Sequence, residues 1–215
     1  MGKNLPKQYL PLGDKTLLEQ TLQRLLQMPF IDRLLVVLHP QDSHWRNLPV
    51  SADKRISAVT GGAERSDSVL NALTSIAGDA AEDDWVLVHD AARPCITLAS
   101  IQNLCEQTRD HPVGGILGVP VSDTLKSVTS DREITGTIDR TQLWQAQTPQ
   151  IFRFGLLRRC MESALGDGKV ITDEASALEH YGYRPMIVAG QNDNIKITRA
   201  EDLLLAQWIL KQQEQ

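Results

Sequence analysis

The 215-residue chain is 41% hydrophobic and 23% charged, values that allow one sizeable core or at most two small ones and exclude disorder and collagen-like repetition. Net charge is −5, from 22 basic and 27 acidic residues without a long basic block, which argues against a nucleic-acid partner while leaving room for a nucleotide substrate. Cys95, Cys105 and Cys160 stand at unrelated spacings that suit neither a zinc site nor a disulfide framework. They fit a reducing, cytoplasmic setting. No apolar run approaches the ~20 residues of a membrane span, and the opening MGKNLPKQYL matches neither a signal peptide nor a myristoylation site.

In chain order, Lys3, Pro6 and Lys7 make a short basic loop, and residues 8–13 read as a brief strand or turn. Leu17, Leu18, Leu22, Leu25 and Leu26 fall at helical spacing, ended by Pro29. Residues 34–38 (LLVVL) read as a buried strand, and 55–60 as another that runs into Gly61-Gly62. Val69, Leu70, Leu73 and Ile76 predict a helix, then 85–88 a buried strand and 97–109 a helix with Thr97 as its N-cap. Residues 113–121 read as a strand loosened by glycines. The alternation then changes: 122–144 predicts a β-hairpin arm that has little of its own chain to pack on, so a second subunit is expected to cover it. Helices over 154–165 and 172–181, strands over 184–189 and 194–198, and a closing helix over 200–212 complete an α/β pattern. One domain, residues 1–215 with the arm at 122–144, is the expected organisation.

The central stretch is WVLVHDAARP, residues 85–94, where an apolar strand turns abruptly polar. Ligands of open α/β sheets sit outside the carboxyl ends of the strands. There Asp90 can hold a metal or hydroxyl, Arg93 an anion, and Ala91 and Ala92 permit close approach. A helix-capping Asp beside a surface Arg is the plainer alternative. Gly61-Gly62-Ala63-Glu64-Arg65-Ser66-Asp67-Ser68 joins a strand to a helix, either as a ligand cradle with Ser68 in the first turn or as a tight capped turn. Lys7 sits on a Pro-stiffened loop. Arg140 lies in the arm, Thr172-Asp173-Glu174 reads first as an N-cap with acids complementing the helix dipole, and Asp193 and Lys196 flank a short turn.

Taken in order, KQY, GGxxRxxSV, VHDAARP, DT-x-K, DR-x-x-LW-x-A-x-TPQ-x-F, TDEASALE and DNIK-[IV]-T closely resemble the 2-C-methyl-D-erythritol 4-phosphate cytidylyltransferases, from Lys7 to about Gln207. The resemblance implies a Rossmann-like nucleotidyltransferase with a mostly parallel, doubly wound sheet and an arm that builds a homodimer. It implies CTP and 2-C-methyl-D-erythritol 4-phosphate as substrates, Mg²⁺ as cofactor, and pyrophosphate as the leaving group. By the same resemblance, Gly62 and Ser68 line the cytosine pocket, while Asp90 and Ala91 contact the ribose and the metal region. Lys7 stabilises the triphosphate. Thr124, Arg140, Thr172 and Lys196 hold the acceptor, Arg140 reaching across the dimer, and Arg93 and Asp193 also match the family pattern. Neither a nucleic acid nor a membrane is expected as partner. Ribitol 5-phosphate as acceptor, or a non-catalytic nucleotide-binding remnant, are the alternatives.

One departure carries an expectation of its own. The family opens with a buried strand and a glycine-rich loop of the form PAAGxGxRMG before PKQY, and Met1-Gly2 match the last two positions of that loop. A late-set start codon or a truncated product would both leave the chain as written without that strand and cradle. Open strand edges, weak or absent activity and a tendency to aggregate are then expected. Ala63, where some relatives carry an acid, bears only on fine contacts to the nucleotide.

Overall fold

A computed structural model describes residues 5–213; Met1, Gly2 and Lys3, read above as loop residues, lie outside the described residues. The described residues begin with a 3₁₀ turn over Lys7–Tyr9 and a minimal hairpin of β1 (Pro11–Leu12) and β2 (Lys15–Thr16), turned by Gly13 at φ 71°. Helix α1 (Leu17–Leu26) begins with a capping box. Thr16 Oγ1 accepts the Glu19 N–H at 3.2 Å, and the Glu19 carboxylate accepts the Thr16 N–H at 2.9 Å. Next come β3 (Leu34–Leu38) and β4 (Ile56–Thr60), paired in parallel from Leu34↔Ile56 to Leu38↔Thr60, and then α2 (Arg65–Ser75). After β5 (Trp85–Val88), α3 (Leu98–Thr108) is capped as expected by Thr97, whose Oγ1 accepts the Ser100 N–H at 3.1 Å.

The remaining elements are β6 (Gly114–Pro120), β7 (Leu125–Val128), β8 (Ile134–Ile138), β9 (Trp144–Arg153), α4 (Phe154–Gly166), α5 (Glu174–Glu179), β10 (Met186–Ala189) and α6 (Ala200–Gln213). The main sheet has the order β10-β6-β9-β5. β10 pairs with β6 in parallel, while β9 pairs antiparallel with both β6 and β5. Three of the four strands therefore point one way and β9 runs against them. Side chains alternate across this sheet. Ile116 and Phe152 pack on one face with Leu157, Met161 and Leu178, and Leu117 and Ile151 pack on the other with Leu25, Ile101 and Leu104. Helices cover both faces, as the doubly wound reading requires.

Three elements differ from the sequence reading. β9 is a ten-residue strand at the centre of the sheet where no strand was expected, because WQAQTPQ is polar and Pro149 lacks a ladder donor. A register irregularity accommodates the proline: Ile116 pairs with Gln150 and Gly118 with Ala146, so 147–149 face Leu117 alone. Residues 194–198 form no strand; the Ile197 N–H donates to the Ala92 carbonyl at 2.8 Å, an isolated tie to the loop after β5. The N-cap of α5 is Asp173 rather than Thr172, its carboxylate accepting the Ser176 N–H at 3.0 Å.

Among the described residues β3 pairs only with β4, and β5 only with β9. The other edges of β3 and β5 face a common cleft of about 1300 Å³, lined by residues 34–38 and 84–92 and by Leu17, Leu22, Val69 and Leu73. β7 and β8 form the expected antiparallel arm, from Leu125↔Ile138 to Val128↔Ile134, with every residue of β8 exposed.

Candidate active site

Asp90 leaves the carboxyl end of β5 in a turn closed by the Arg93 N–H donating to the Asp90 carbonyl at 3.0 Å. Three cations converge on its carboxylate: Lys196 Nζ at 2.9 Å, Arg65 Nη2 at 3.4 Å and Arg93 Nε at 3.6 Å. Burial would raise this carboxyl, but Lys196, then Arg65 and Arg93, outweigh it and hold Asp90 below the ordinary carboxylate range. Arg93 also donates from Nη1 to the Asn194 carbonyl at 2.7 Å, which fixes the segment that presents Lys196.

The loop after β5 is held from behind by groups the sequence reading gave no role. His89 Nε2 lies 3.0 Å from the Arg93 carbonyl, so the proton is assigned there, and Nδ1 accepts from the Thr148 hydroxyl at 3.1 Å. Thr148 Oγ1 in turn accepts the Asp90 N–H at 3.0 Å. Burial lowers His89 to about 4, so the ring is neutral at pH 7. Gln150, 1% exposed, donates to the Asp173 carboxylate at 2.8 Å and accepts the Ala175 N–H at 3.0 Å, fixing the start of α5. The polar residues that disguised β9 are the ones that build this wall.

Gly62 and Ser68 meet at the start of α2. The Gly62 N–H donates to Ser68 Oγ at 3.1 Å, and the Ser68 hydroxyl donates to the Glu64 carbonyl at 3.0 Å. A Cβ on Gly62 would collide with Asp67, so only glycine closes this turn. Lys7 Nζ donates to the Ile197 carbonyl at 2.8 Å, next to Lys196, and the Ala91 carbonyl accepts from Thr21 Oγ1 at 2.8 Å. Lys7, Arg65, Ser68, Asp90, Ala91 and Lys196 line the site end of the large cleft. A second cavity of about 260 Å³ is lined by Arg65, Asp90, Arg93, Thr148, Thr172, Asp173 and Lys196, among others. The two cavities share Arg65, Asp90 and Lys196.

Not every expected residue joins this constellation. Thr124 is exposed at the foot of the arm, and Arg140 is exposed there with Nη1 on the Ser122 carbonyl. Asp193 turns towards α6, where its Oδ2 accepts from Gln213 at 3.2 Å. Glu174, read as a helix-dipole acid, is instead completely buried against Arg65, an arginine that stood in the GGxxRxxSV motif without a role. Both oxygens of Asp90 are engaged by cations, and no cluster of three or more His, Cys, Asp or Glu able to hold a metal occurs among the described residues. Asp90 is a single carboxylate at the site, the donor set with which Mg²⁺ is held when substrate phosphates and waters supply its other ligands. Among the described residues no helix is long and apolar enough to cross a membrane.

A Rossmann-like α/β sheet with a glycine turn, a lysine and a carboxylate–cation cluster beyond its strand ends has the parts that a nucleotidyltransferase uses. The family model for 2-C-methyl-D-erythritol 4-phosphate cytidylyltransferase matches residues 1–212. The enzyme of that name from Yersinia pseudotuberculosis is 50% identical over 215 residues, covering all of this chain and 88% of the relative. The one from Tolumonas auensis is 49% identical over 214 residues, covering 100% and 92%. The crystal structure of the Francisella tularensis enzyme superposes with a TM-score of 0.87 at 40% identity, covering 96% of this chain and 94% of that one. The chain belongs to the 2-C-methyl-D-erythritol 4-phosphate cytidylyltransferase family. Its reaction is cytidylyl transfer from CTP to 2-C-methyl-D-erythritol 4-phosphate in isoprenoid precursor synthesis, and the ribitol 5-phosphate and remnant readings are not favoured.

Proposed function

We propose that transfer takes place across the wall the two cavities share, with CTP at the site end of the large cleft and the acceptor in the smaller cavity. Gly62 and Ser68 offer a backbone N–H and a hydroxyl to the edge of cytosine. Lys7 faces the triphosphate, Asp90 and Ala91 the sugar hydroxyls, and Thr172 and Lys196 the acceptor phosphate. A phosphate oxygen of the acceptor attacks the α-phosphorus, and the bond to the β-phosphate breaks with its electron pair leaving on pyrophosphate. No protein nucleophile is needed; the side chains position two anions and spread the developing charge. Mg²⁺, which Asp90 would help to hold, would supply charge neutralisation at the triphosphate. The observation that carries this reading is Lys196 at 2.9 Å from Asp90 on that shared wall.

Charge supports a second copy of the chain. The acceptor cavity sets Arg65, Arg93 and Lys196 against Asp90, Asp173 and the Arg65-bound Glu174. A phosphate dianion entering this balanced set calls for another cation, and Arg140 stands free of the cavity on the exposed arm. Val128, Ile134, Ile138 and Trp144 expose apolar surface along the arm, suited to homodimer contact. We place the dimer in the cytoplasm, where free cysteines persist.

Pyrophosphate release from CTP, Mg²⁺ and 2-C-methyl-D-erythritol 4-phosphate tests the assignment, with ribitol 5-phosphate as the competing acceptor. Lys196→Met should lower kcat/KM by roughly 100-fold, as expected for loss of a charge-assisted contact of about 3 kcal/mol. The loss should be felt in the KM for the acceptor. An unchanged acceptor KM in that variant would overturn the placement.

A further inference from the structure

The two substrate seats are joined through one ion pair whose acidic member is buried. Arg65 is the first residue of α2, directly after the glycine turn that carries Gly62; Glu174 is the first residue of α5, two positions beyond Thr172. Their contact is bidentate: Nη1 to Oε1 at 2.6 Å and Nη2 to Oε2 at 3.1 Å. The Glu174 side chain is completely buried, and its carboxylate has no other hydrogen-bond partner among the described residues. Arg65 Nη2 also reaches Asp90 Oδ1 at 3.4 Å, so one guanidinium touches the nucleotide-side helix, the strand end and the acceptor-side helix. Arg65 is among the residues lining both cavities.

The planar fork makes this more than a charge contact. A bidentate guanidinium–carboxylate pair fixes the relative orientation of its two carriers, whereas an ammonium would leave them free to pivot. Removing Arg65 would strand the buried carboxylate of Glu174, so the pair resists separation. Burial alone would lower Arg65, but Glu174 overrides it and raises the group, consistent with a guanidinium committed to this contact. Gln150 holds the same first turn of α5 through Asp173 and Ala175, so Arg65 and Gln150 together set how the Thr172 end meets the nucleotide loop.

We propose that Arg65 and Glu174 are positioning residues that couple the two sites, so that a nucleotide seated at Gly62 and Ser68 tightens binding of the acceptor phosphate, and the reverse. The inference rests on the substrate placement given above. Coupling of this kind is reciprocal: each ligand must raise the other's affinity by the same factor.

Calorimetric titration of 2-C-methyl-D-erythritol 4-phosphate, with and without saturating α,β-methylene-CTP, reads the coupling without turnover. In the parent protein the analogue should tighten acceptor binding about tenfold, within the usual range for coupled sites. Arg65→Lys, which keeps the charge and loses the fork, and the double variant Arg65→Met with Glu174→Met, which leaves no orphaned charge, should bring the ratio close to one. Thermal melts identify which variants are folded, and the double variant carries the test if Arg65→Lys is not. Independent binding of the two ligands to the parent would overturn the coupling alone. A folded variant that keeps the parent ratio would do the same. Failure of the parent to bind either ligand would overturn the substrate placement and the coupling with it.

Discussion

β6 and β3 are both short apolar strands, yet they live in different surroundings. β6 has a partner on each edge and helices over both faces, and its residues 114–119 are all buried. β3 has β4 on one edge and the cleft on the other, and only Val36 of its five residues is buried. β5 repeats the contrast within one sheet: beside β9 it is laddered, but its free edge opens to the same cleft and each of its residues is half-buried. Apolar composition marks a strand. The number of covered edges and faces decides how much free energy that strand contributes.

Truncating a side chain of the covered sheet gives the largest expected effect. Phe152, fully buried in β9 where it packs with Leu157, Met161 and Leu178, should cost about 3–5 kcal/mol as Phe152→Ala. Val37→Ala, in β3 beside the cleft, should cost about 1 kcal/mol, because the side chain already lacks neighbours on one side. Urea denaturation measures both. Equal losses would mean that the cleft is closed in solution.

The site end of the covered sheet should show its own pH signature. His89 sits near 4 in the folded chain against 6.5 for the free side chain, so between those values the unfolded state binds the extra proton. Stability conferred by neutral His89 is therefore complete above about 6.5 and lost as pH falls towards 4, by at most about 3 kcal/mol. His89→Gln should flatten that part of the stability curve, measured by denaturation at a series of pH values. Acid sensitivity unchanged in the variant would assign the effect to other groups and leave the loop behind Asp90 without its proposed staple.

The same contrast explains what could be read from the sequence. Helix α1 announced itself through the spacing of Leu17, Leu18, Leu22 and Leu25, and the arm through its alternation, because local pattern alone specifies them. Asp90 and Lys196 were legible by their motifs and are brought together at 2.9 Å. β9 was not legible, since its burial depends on neighbours distant in the chain and its polar residues serve the site rather than the ladder. Arg65 was quoted within a motif but its partner lies 109 residues away. Glu174 looked like an exposed dipole acid because six residues of short helix carry no sign of what covers them. A charged residue at a helix start beside a glycine turn was the available signal, and it was too common to single out.

The smallest expected effect on folding belongs to the arm, where the contrast reaches its limit. Ile134 of β8 is 67% exposed and meets no core of its own chain. Ile134→Lys should therefore change the stability of an isolated chain by no more than about 0.5 kcal/mol, the usual range for surface substitutions. If a second copy covers the arm, the same change places a charge in an apolar contact and must weaken association. Sedimentation equilibrium of the parent and the variant separates the two effects. A parent that dimerises and a variant that does not, with matching melts at low concentration, would identify the arm as surface held for a partner. Equal association in both would place the homodimer contact elsewhere and remove Arg140 from the acceptor site.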